Sequence, residues 1–99
     1  MASKTRRSSG NVFDALGFSP VEAEHLRIRS DLMFQLAKII ESRRLTQAQA
    51  AKLLGVTQPR ISDLMRGKID RFSIDTLIEL LGHAGARVHV SVKLARRVT

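Results

Sequence analysis

Residues 58–66, QPRISDLMR, combine amide, guanidinium, hydroxyl and carboxylate side chains in a segment that suits one helix of about two turns. A Gln amide can hydrogen bond to adenine, and an Arg guanidinium can grip guanine or a phosphate. In a helix, Ile61, Leu64 and Met65 share one side. The other side is formed by the outward set Gln58, Pro59, Arg60, Ser62, Asp63 and Arg66. Such a surface could contact base edges and phosphates in a duplex groove.

The carboxylate of Asp63 has two possible roles on this outward side. It can accept a hydrogen bond from a cytosine amine, or it can orient Arg60 or Arg66, each three residues away. Lys68 and Arg71 follow the segment, and they are either neighbours of phosphates or solvated loop charges. An exposed ion pair among these groups would add little stability.

The segment before the outward set predicts the helix that positions it. Thr46 and Gln49 have the spacing of a capping box, and Ala50, Leu53 and Leu54 form an apolar side before Gly55. Glycine adopts a positive φ at low cost, as a sharp turn requires.

The turn itself, Gly55-Val56-Thr57, leads directly into the next helix, for which Thr57 is the predicted cap. Ala51 is small enough for the two helices to approach, while Val56, Ile61 and Leu64 fill the space below the turn. Residues 47–66 are therefore predicted to form a helix-turn-helix.

Flanking helices complete the predicted domain. Ser19-Pro20-Val21-Glu22 is typical of a helix start, and we expect one long helix to Arg43, although Ser30-Asp31 could begin a second helix at Leu32. Ser73 is predicted to cap the last helix. Helical spacing predicts that the apolar side of this helix consists of Ile74, Leu77, Ile78 and Leu81. Gly82 is predicted to end the helix.

Residues 87–94 alternate polar and apolar side chains, which is typical of a half-buried β-strand. The apolar face consists of Val88, Val90, Val92 and Leu94. Because a lone strand leaves its backbone groups unpaired, the pattern predicts a homodimer in which this strand pairs with its copy. Such a dimer would present two recognition helices to a palindromic operator. The alternative is a loosely docked tail.

Composition favours a polyanionic partner. The chain has 17 basic and 9 acidic residues, a net charge of +8, and residues 46–72 hold five of the basic residues against two acidic ones. The absence of cysteine excludes disulfides and thiolate metal sites and suits the cytoplasm. No apolar run is long enough for a membrane span, so no membrane association is expected.

Other chemistries find no support in the sequence. His25, His83 and His89 are widely separated and have no partner at metal-ligand spacing, so we expect no metal site. There is no glycine-rich phosphate loop, no nucleophile elbow and no pair of carboxylates placed for acid–base work. We therefore expect neither a cofactor nor enzymatic activity.

The stretch TQAQAAKLLGVTQPRISDLMRGK resembles the helix-turn-helix of phage-repressor-type regulators, the XRE family, and its continuation IDRFSIDTLIELLG is similar to HigA-like antitoxins. The resemblance covers about residues 20–95. It implies a mainly α, five-helix, lambda-repressor-like domain, here with one C-terminal β-strand. It also implies a repressor that neutralises a RelE/HigB-like ribonuclease toxin and regulates its own operon. A free-standing, prophage-type repressor and a protein-binding adaptor without DNA contact are the alternatives.

The resemblance also assigns roles to residues. Gln47 would bind a phosphate and brace Gln58, which would reach a base edge, while Thr57, Arg60 and Ser62 would contact backbone or bases. Pro59 departs from the family pattern, because it can offer only apolar contact, for example to a thymine methyl group.

We divide the chain into three parts on these grounds. Residues 1–18 are a flexible basic arm, 19–85 the helix-turn-helix domain, and 86–99 a C-terminal strand and basic tail for dimerisation. Phe13, Leu16 and Phe18 in the arm could fold onto a toxin. Alternatively, the arm is a solvated tail or touches DNA.

Overall fold

The computed structural model describes residues 12–94, which form five α-helices and one short 3-10 helix. The helices are α1 (Val12–Ala15), α2 (Pro20–Ser42), α3 (Gln47–Leu54), α4 (Gln58–Met65), the 3-10 helix (Ile69–Arg71) and α5 (Ile74–His83). The mainly helical prediction is confirmed. The expected flexible arm falls largely on residues 1–11, and these, like 95–99, lie outside the described residues.

Helix α2 begins where the sequence predicts and is continuous. The Ser19 hydroxyl accepts from the Glu22 amide at 3.2 Å, and the Glu22 carboxylate accepts from the Ser19 amide at 3.3 Å. Pro20 occupies the first turn, where its missing N–H has no intrahelical acceptor to lose. Asp31 does not interrupt the helix, so the prediction of one long helix is confirmed.

Helix α3 is also capped as predicted. The Thr46 hydroxyl accepts from the Gln49 amide at 3.1 Å, and the Gln49 side chain accepts from the Thr46 amide at 2.8 Å. Gly55 ends the helix in the left-handed conformation, with φ of 70°, and its amide donates to the Ala51 carbonyl. The chain therefore turns sharply at the predicted residue.

The cap of α4 differs from the prediction. Thr57 occupies the capping position, but its hydroxyl accepts no hydrogen bond. Pro59 is the second residue of the helix and has no N–H to donate. The amides of Arg60 and Ile61 instead donate to the Thr57 carbonyl at 3.1 and 3.2 Å. The backbone of Thr57, rather than its side chain, therefore supports the first turn.

Helix α5 extends beyond its predicted end. Gly82 lies inside the helix, and Gly85 has the positive φ, 84°, that ends it. Ala84 is buried, so the last turn is held against the core. On the same helix Leu80 is buried while Ile78 is 41% exposed, which reverses part of the predicted apolar side.

The core lies between α2 and the four elements that follow it. Leu36 of α2 and Leu77 of α5 have no exposed surface, and Phe72 is the buried aromatic residue between α4 and α5. The buried cluster consists of Met33, Leu36, Ile40, Ala50, Ala51, Leu54, Ile61, Leu64, Phe72, Leu77, Leu80, Leu81 and Ala84. Aliphatic side chains thus supply most of the burial that stabilises the domain.

The predicted C-terminal strand is not formed within residues 12–94, where residues 86–94 carry no regular secondary structure. Val88 packs against the core, but Val90, Val92 and Leu94 are 71%, 87% and 95% exposed. A β-strand needs the backbone of a second strand for its hydrogen bonds, and the described chain offers none. Alternation of residue types alone does not provide that partner.

Part of the predicted arm is folded. Val12–Ala15 forms helix α1, which lies against α2. The rings of Phe13 and Phe18 meet edge to face, with centroids 6.1 Å apart. Ordered structure therefore begins by Val12, upstream of the expected domain boundary at Ser19.

Two glycine substitutions should have opposite effects on stability. A Cβ at either Gly55 or Gly82 would meet no atom within 4 Å, so the backbone conformation decides the outcome. Gly55→Ala should destabilise the protein by about 1 kcal/mol because of its positive φ. Gly82→Ala should stabilise it by about 0.5 kcal/mol, because alanine favours a helix. Urea denaturation followed by circular dichroism measures both, and equal shifts in the same direction would contradict the two backbone assignments.

Candidate nucleic-acid interface

The turn between α3 and α4 holds the two helices against each other through small and aliphatic side chains. Ala50 and Ala51 are buried, and the buried Ile61 and Leu64 of α4 belong to the same cluster. The Val56 amide donates to the Ala51 carbonyl at 3.0 Å, which closes the turn after Gly55. Because its apolar side is buried here, α4 has a defined outer side.

The predicted DNA-binding residues lie on α4, close to it in the chain, and at the start of α3. Those that are exposed are Gln47, Thr57, Gln58, Pro59 and Arg66, and those that are half-buried are Arg60, Ser62, Asp63 and Lys68. None of the nine is buried in the core. Their side chains are thus placed on one helix-turn-helix unit with at least part of each exposed.

Gln47 and Gln58 are not joined in this structure. Both side chains are exposed, and across residues 12–94 no hydrogen bond links them. The bracing that the family resemblance implies is therefore absent from the free protein. Each amide retains its hydrogen-bonding groups for another partner.

Arg60 contacts the loop that follows α4. Its guanidinium carbon lies 4.2 Å from the centroid of the Phe72 ring, and its Nη1 donates to the Arg71 carbonyl at 2.8 Å. A cation over an aromatic face and a hydrogen bond to a carbonyl both fix the side chain. Arg60 therefore ties α4 to the start of α5 in addition to any contact with DNA.

Asp63 forms its ion pair with Arg71, and not with Arg60 or Arg66 as the helical spacing suggested. Arg71 Nη1 lies 3.1 Å from Asp63 Oδ2. The two residues are eight positions apart, on α4 and the 3-10 helix, so helical spacing gives no sign of the pair. The pairing was missed because it depends on how the chain folds back after Gly67.

A third arginine holds the same loop from the other side. Arg29 of α2 donates from Nη1 to the Ile69 carbonyl at 3.0 Å. The sequence pattern indicates no role for Arg29, because an arginine on a long amphipathic helix resembles any solvated charge. The loop from Gly67 to Arg71 is thus attached to both α2 and α4.

The predicted toxin-binding and dimerisation residues lie apart from α4 in the sequence. Phe13 is half-buried, while Leu16 and Phe18 are 68% and 42% exposed. Val12 and Val21 add further exposed apolar surface, at 64% and 80%. The C-terminal set Val88, Val90, Val92 and Leu94 occupies the segment without secondary structure described above.

Among residues 12–94, no cluster of three or more His, Cys, Asp or Glu side chains has a geometry that could hold a metal ion. Within the same residues, no helix combines the length and the apolar character needed to cross a bilayer.

A short α3, a glycine turn and an α4 with a polar outer side define a helix-turn-helix protein. In agreement, a family model described as a helix-turn-helix domain matches residues 12–93. A solved structure of a proposed XRE family transcriptional regulator is 31% identical, with a TM-score of 0.72, over 79% of this chain and 91% of that chain. No curated protein sequence matches the chain. The chain belongs to the XRE family of helix-turn-helix, DNA-binding transcriptional regulators.

Proposed function

We propose that this regulator is a sequence-specific repressor that places α4 in the DNA major groove. The observation that carries the proposal is the division of α4 into two sides. Ile61 and Leu64 are almost fully buried, while Gln58, Pro59 and Arg66 are exposed. An α-helix held in this way fits the width of the major groove, where each base pair presents a distinct set of donors and acceptors.

Different residues of the surface serve different parts of the duplex in this proposal. Gln58 contacts a base edge near the start of α4, and Pro59 lies against a thymine methyl group. Gln47 binds a phosphate from the start of α3, as do Arg66 and Lys68 from the end of α4. Thr57, Arg60, Ser62 and Asp63 complete the interface. Phosphate contacts orient the helix, and base contacts give the specificity.

The charge of the chain supports the same proposal. Residues 46–72 contain Lys52, Arg60, Arg66, Lys68 and Arg71, opposed by two acidic residues. Neutralising several phosphates releases counterions, so binding should weaken steeply as salt increases.

Gln58→Ala gives the cleanest test of base contact, because the Gln58 side chain is exposed and makes no hydrogen bond within residues 12–94. On a duplex selected by the wild-type protein from a random library, we expect affinity to fall by about 1–3 kcal/mol. The loss should be confined to duplexes that carry the preferred base at one position. Gln35→Ala, at an exposed position of α2, is the matched control and should bind as the wild type does. Equal affinities for both variants would remove Gln58 from the interface.

We also propose that the repressor is a homodimer joined through residues 87–94 and bound to a palindromic operator. Val90, Val92 and Leu94 are highly exposed apolar side chains in a segment that has no backbone partner among residues 12–94. Antiparallel pairing with a second copy would satisfy the backbone groups and cover these side chains.

Sedimentation of the full chain at micromolar concentration tests the dimer. We expect twice the monomer mass for the wild type. Val90→Asp with Val92→Asp should give the monomer mass, because two carboxylates would have to be buried at the interface. His89→Asp with Ser91→Asp is the control. These residues would lie on the opposite face of the paired strand, so this variant should remain dimeric. A monomeric wild-type protein would contradict this part of the proposal.

We further propose that the protein is an antitoxin that binds a RelE/HigB-like ribonuclease toxin. The supporting observation is the exposed apolar surface around α1, formed by Val12, Leu16, Phe18 and Val21. Exposed apolar patches on small domains commonly mark protein interfaces. A free-standing repressor would not require this surface.

Co-purification with the product of the adjacent gene tests the antitoxin role. Leu16→Ser with Val21→Ser should lose the toxin and keep operator affinity, because neither residue lies on the helix-turn-helix. Gln58→Ala should keep the toxin and bind the operator more weakly. Failure to recover any toxin with the wild-type protein would favour the free-standing repressor.

A further inference from the structure

The ion pair between Asp63 and Arg71 lies at the border of the proposed DNA-binding surface. Arg71 Nη1 and Asp63 Oδ2 are 3.1 Å apart, and the side chains are 52% and 18% exposed, respectively. The acid is therefore largely covered, while the arginine keeps half of its surface in solvent. The pair thus presents its positive member outward.

The loop that carries Arg71 is fixed from several directions. Arg60 donates to the Arg71 carbonyl at 2.8 Å, and Arg29 donates to the Ile69 carbonyl at 3.0 Å. The Lys68 amide donates to the Asp63 carbonyl at 3.0 Å. Both the backbone and the side chain of Asp63 therefore hold this loop. The position of Arg71 is set before any ligand arrives.

The hydrogen-bonding capacity of the two side chains favours unequal roles. An arginine has five N–H donors, and Asp63 engages the Nη1 group, so donors remain for a phosphate oxygen. Asp63 could reach a cytosine amine only by leaving Arg71. Doing so would place a bare carboxylate close to phosphates, which repel it.

We propose that Asp63 is the positioning residue for Arg71, and that Arg71 binds a DNA phosphate beside α4. Asp63 itself contacts no base. This inference rests on the proposed repressor function and adds to it one phosphate-binding residue and the group that orients it. Asp63 also ceases to repel the duplex, since Arg71 neutralises it.

The test is a double-mutant cycle on DNA affinity with a matched acidic control. The variants are Asp63→Ala, Arg71→Ala and the two combined. Asp70→Ala, alone and combined with Arg71→Ala, removes the same charge from an exposed side chain of the same loop that has no ion pair within residues 12–94. Affinities for a duplex selected by the wild-type protein are measured across a potassium chloride series. Asp63→Asn repeats the cycle with a side chain of nearly the same shape.

The expected results separate positioning from charge alone. Arg71→Ala should weaken binding by a similar factor on every duplex. It should also reduce the slope of the logarithm of the binding constant against the logarithm of salt concentration by about 1. Adding Asp63→Ala to it should recover part of the affinity, because the unpaired carboxylate is removed. Asp63→Ala alone should weaken binding, because Arg71 then loses the group that orients it. Asp70→Ala should change the DNA affinity by the same factor in the wild-type protein and in the Arg71→Ala variant.

Two results would overturn the inference while leaving the repressor proposal in place. One is that the effects of Asp63→Ala and Arg71→Ala, on affinity and on its dependence on salt, simply add in the double variant. The other is a change of base preference at a single operator position in Asp63→Ala, which would make Asp63 a base-contacting residue. If the wild-type protein binds no duplex, both proposals fail together.

Discussion

The burial of one side of α4 sets which of its side chains the helix-turn-helix presents to solvent. Ile61 and Leu64 pack into the core beside Ala50 and Ala51, and the chain can reach this arrangement because Gly55 adopts a left-handed conformation. Apolar burial of this kind fixes the rotation of a helix about its axis. The polar side chains of α4 face outward as a consequence, and the proposed DNA-binding surface of this XRE regulator rests on that arrangement.

Several basic residues of this protein stabilise its fold in addition to contributing positive charge. Arg29, Arg43 and Arg60 each donate to a main-chain carbonyl in a loop or at a helix end, at Ile69, Ala84 and Arg71. The carbonyls of Ala84 and Arg71 lie at or beyond a helix end and have no helical donor, whereas the Ile69 carbonyl also accepts from the Phe72 amide at 3.4 Å. The net positive charge that favours DNA is thus partly carried by groups that also hold the loops in place. In the proposed interface, removing Arg60 should therefore change stability and affinity together, whereas removing the exposed Gln58 should change affinity alone.

The features that sequence analysis found are local, and those it missed join distant residues. The caps at Ser19 and Thr46 and the turn at Gly55 each depend on a few neighbouring residues, so their spacing identifies them. The Arg60–Phe72 and Asp63–Arg71 contacts depend on the path of the loop after Gly67. Two local predictions also failed. The amide of Arg60 donates to the Thr57 carbonyl and not to its hydroxyl, and the residue of positive φ that follows α5 is Gly85 rather than Gly82. The strand failed for a different reason, because alternation describes side chains and not the backbone partner a strand needs.

Methylation interference on the selected duplex tests most directly whether α4 enters the major groove. Dimethyl sulfate methylates guanine N7, which faces the major groove, and adenine N3, which faces the minor groove. If α4 enters the major groove, binding should be blocked by guanine N7 methylation at two positions about one helical turn apart. With Gln58→Ala, the N7 interference should remain while base preference next to it relaxes. Interference confined to adenine N3 would contradict the account, since the protein would then contact the other groove.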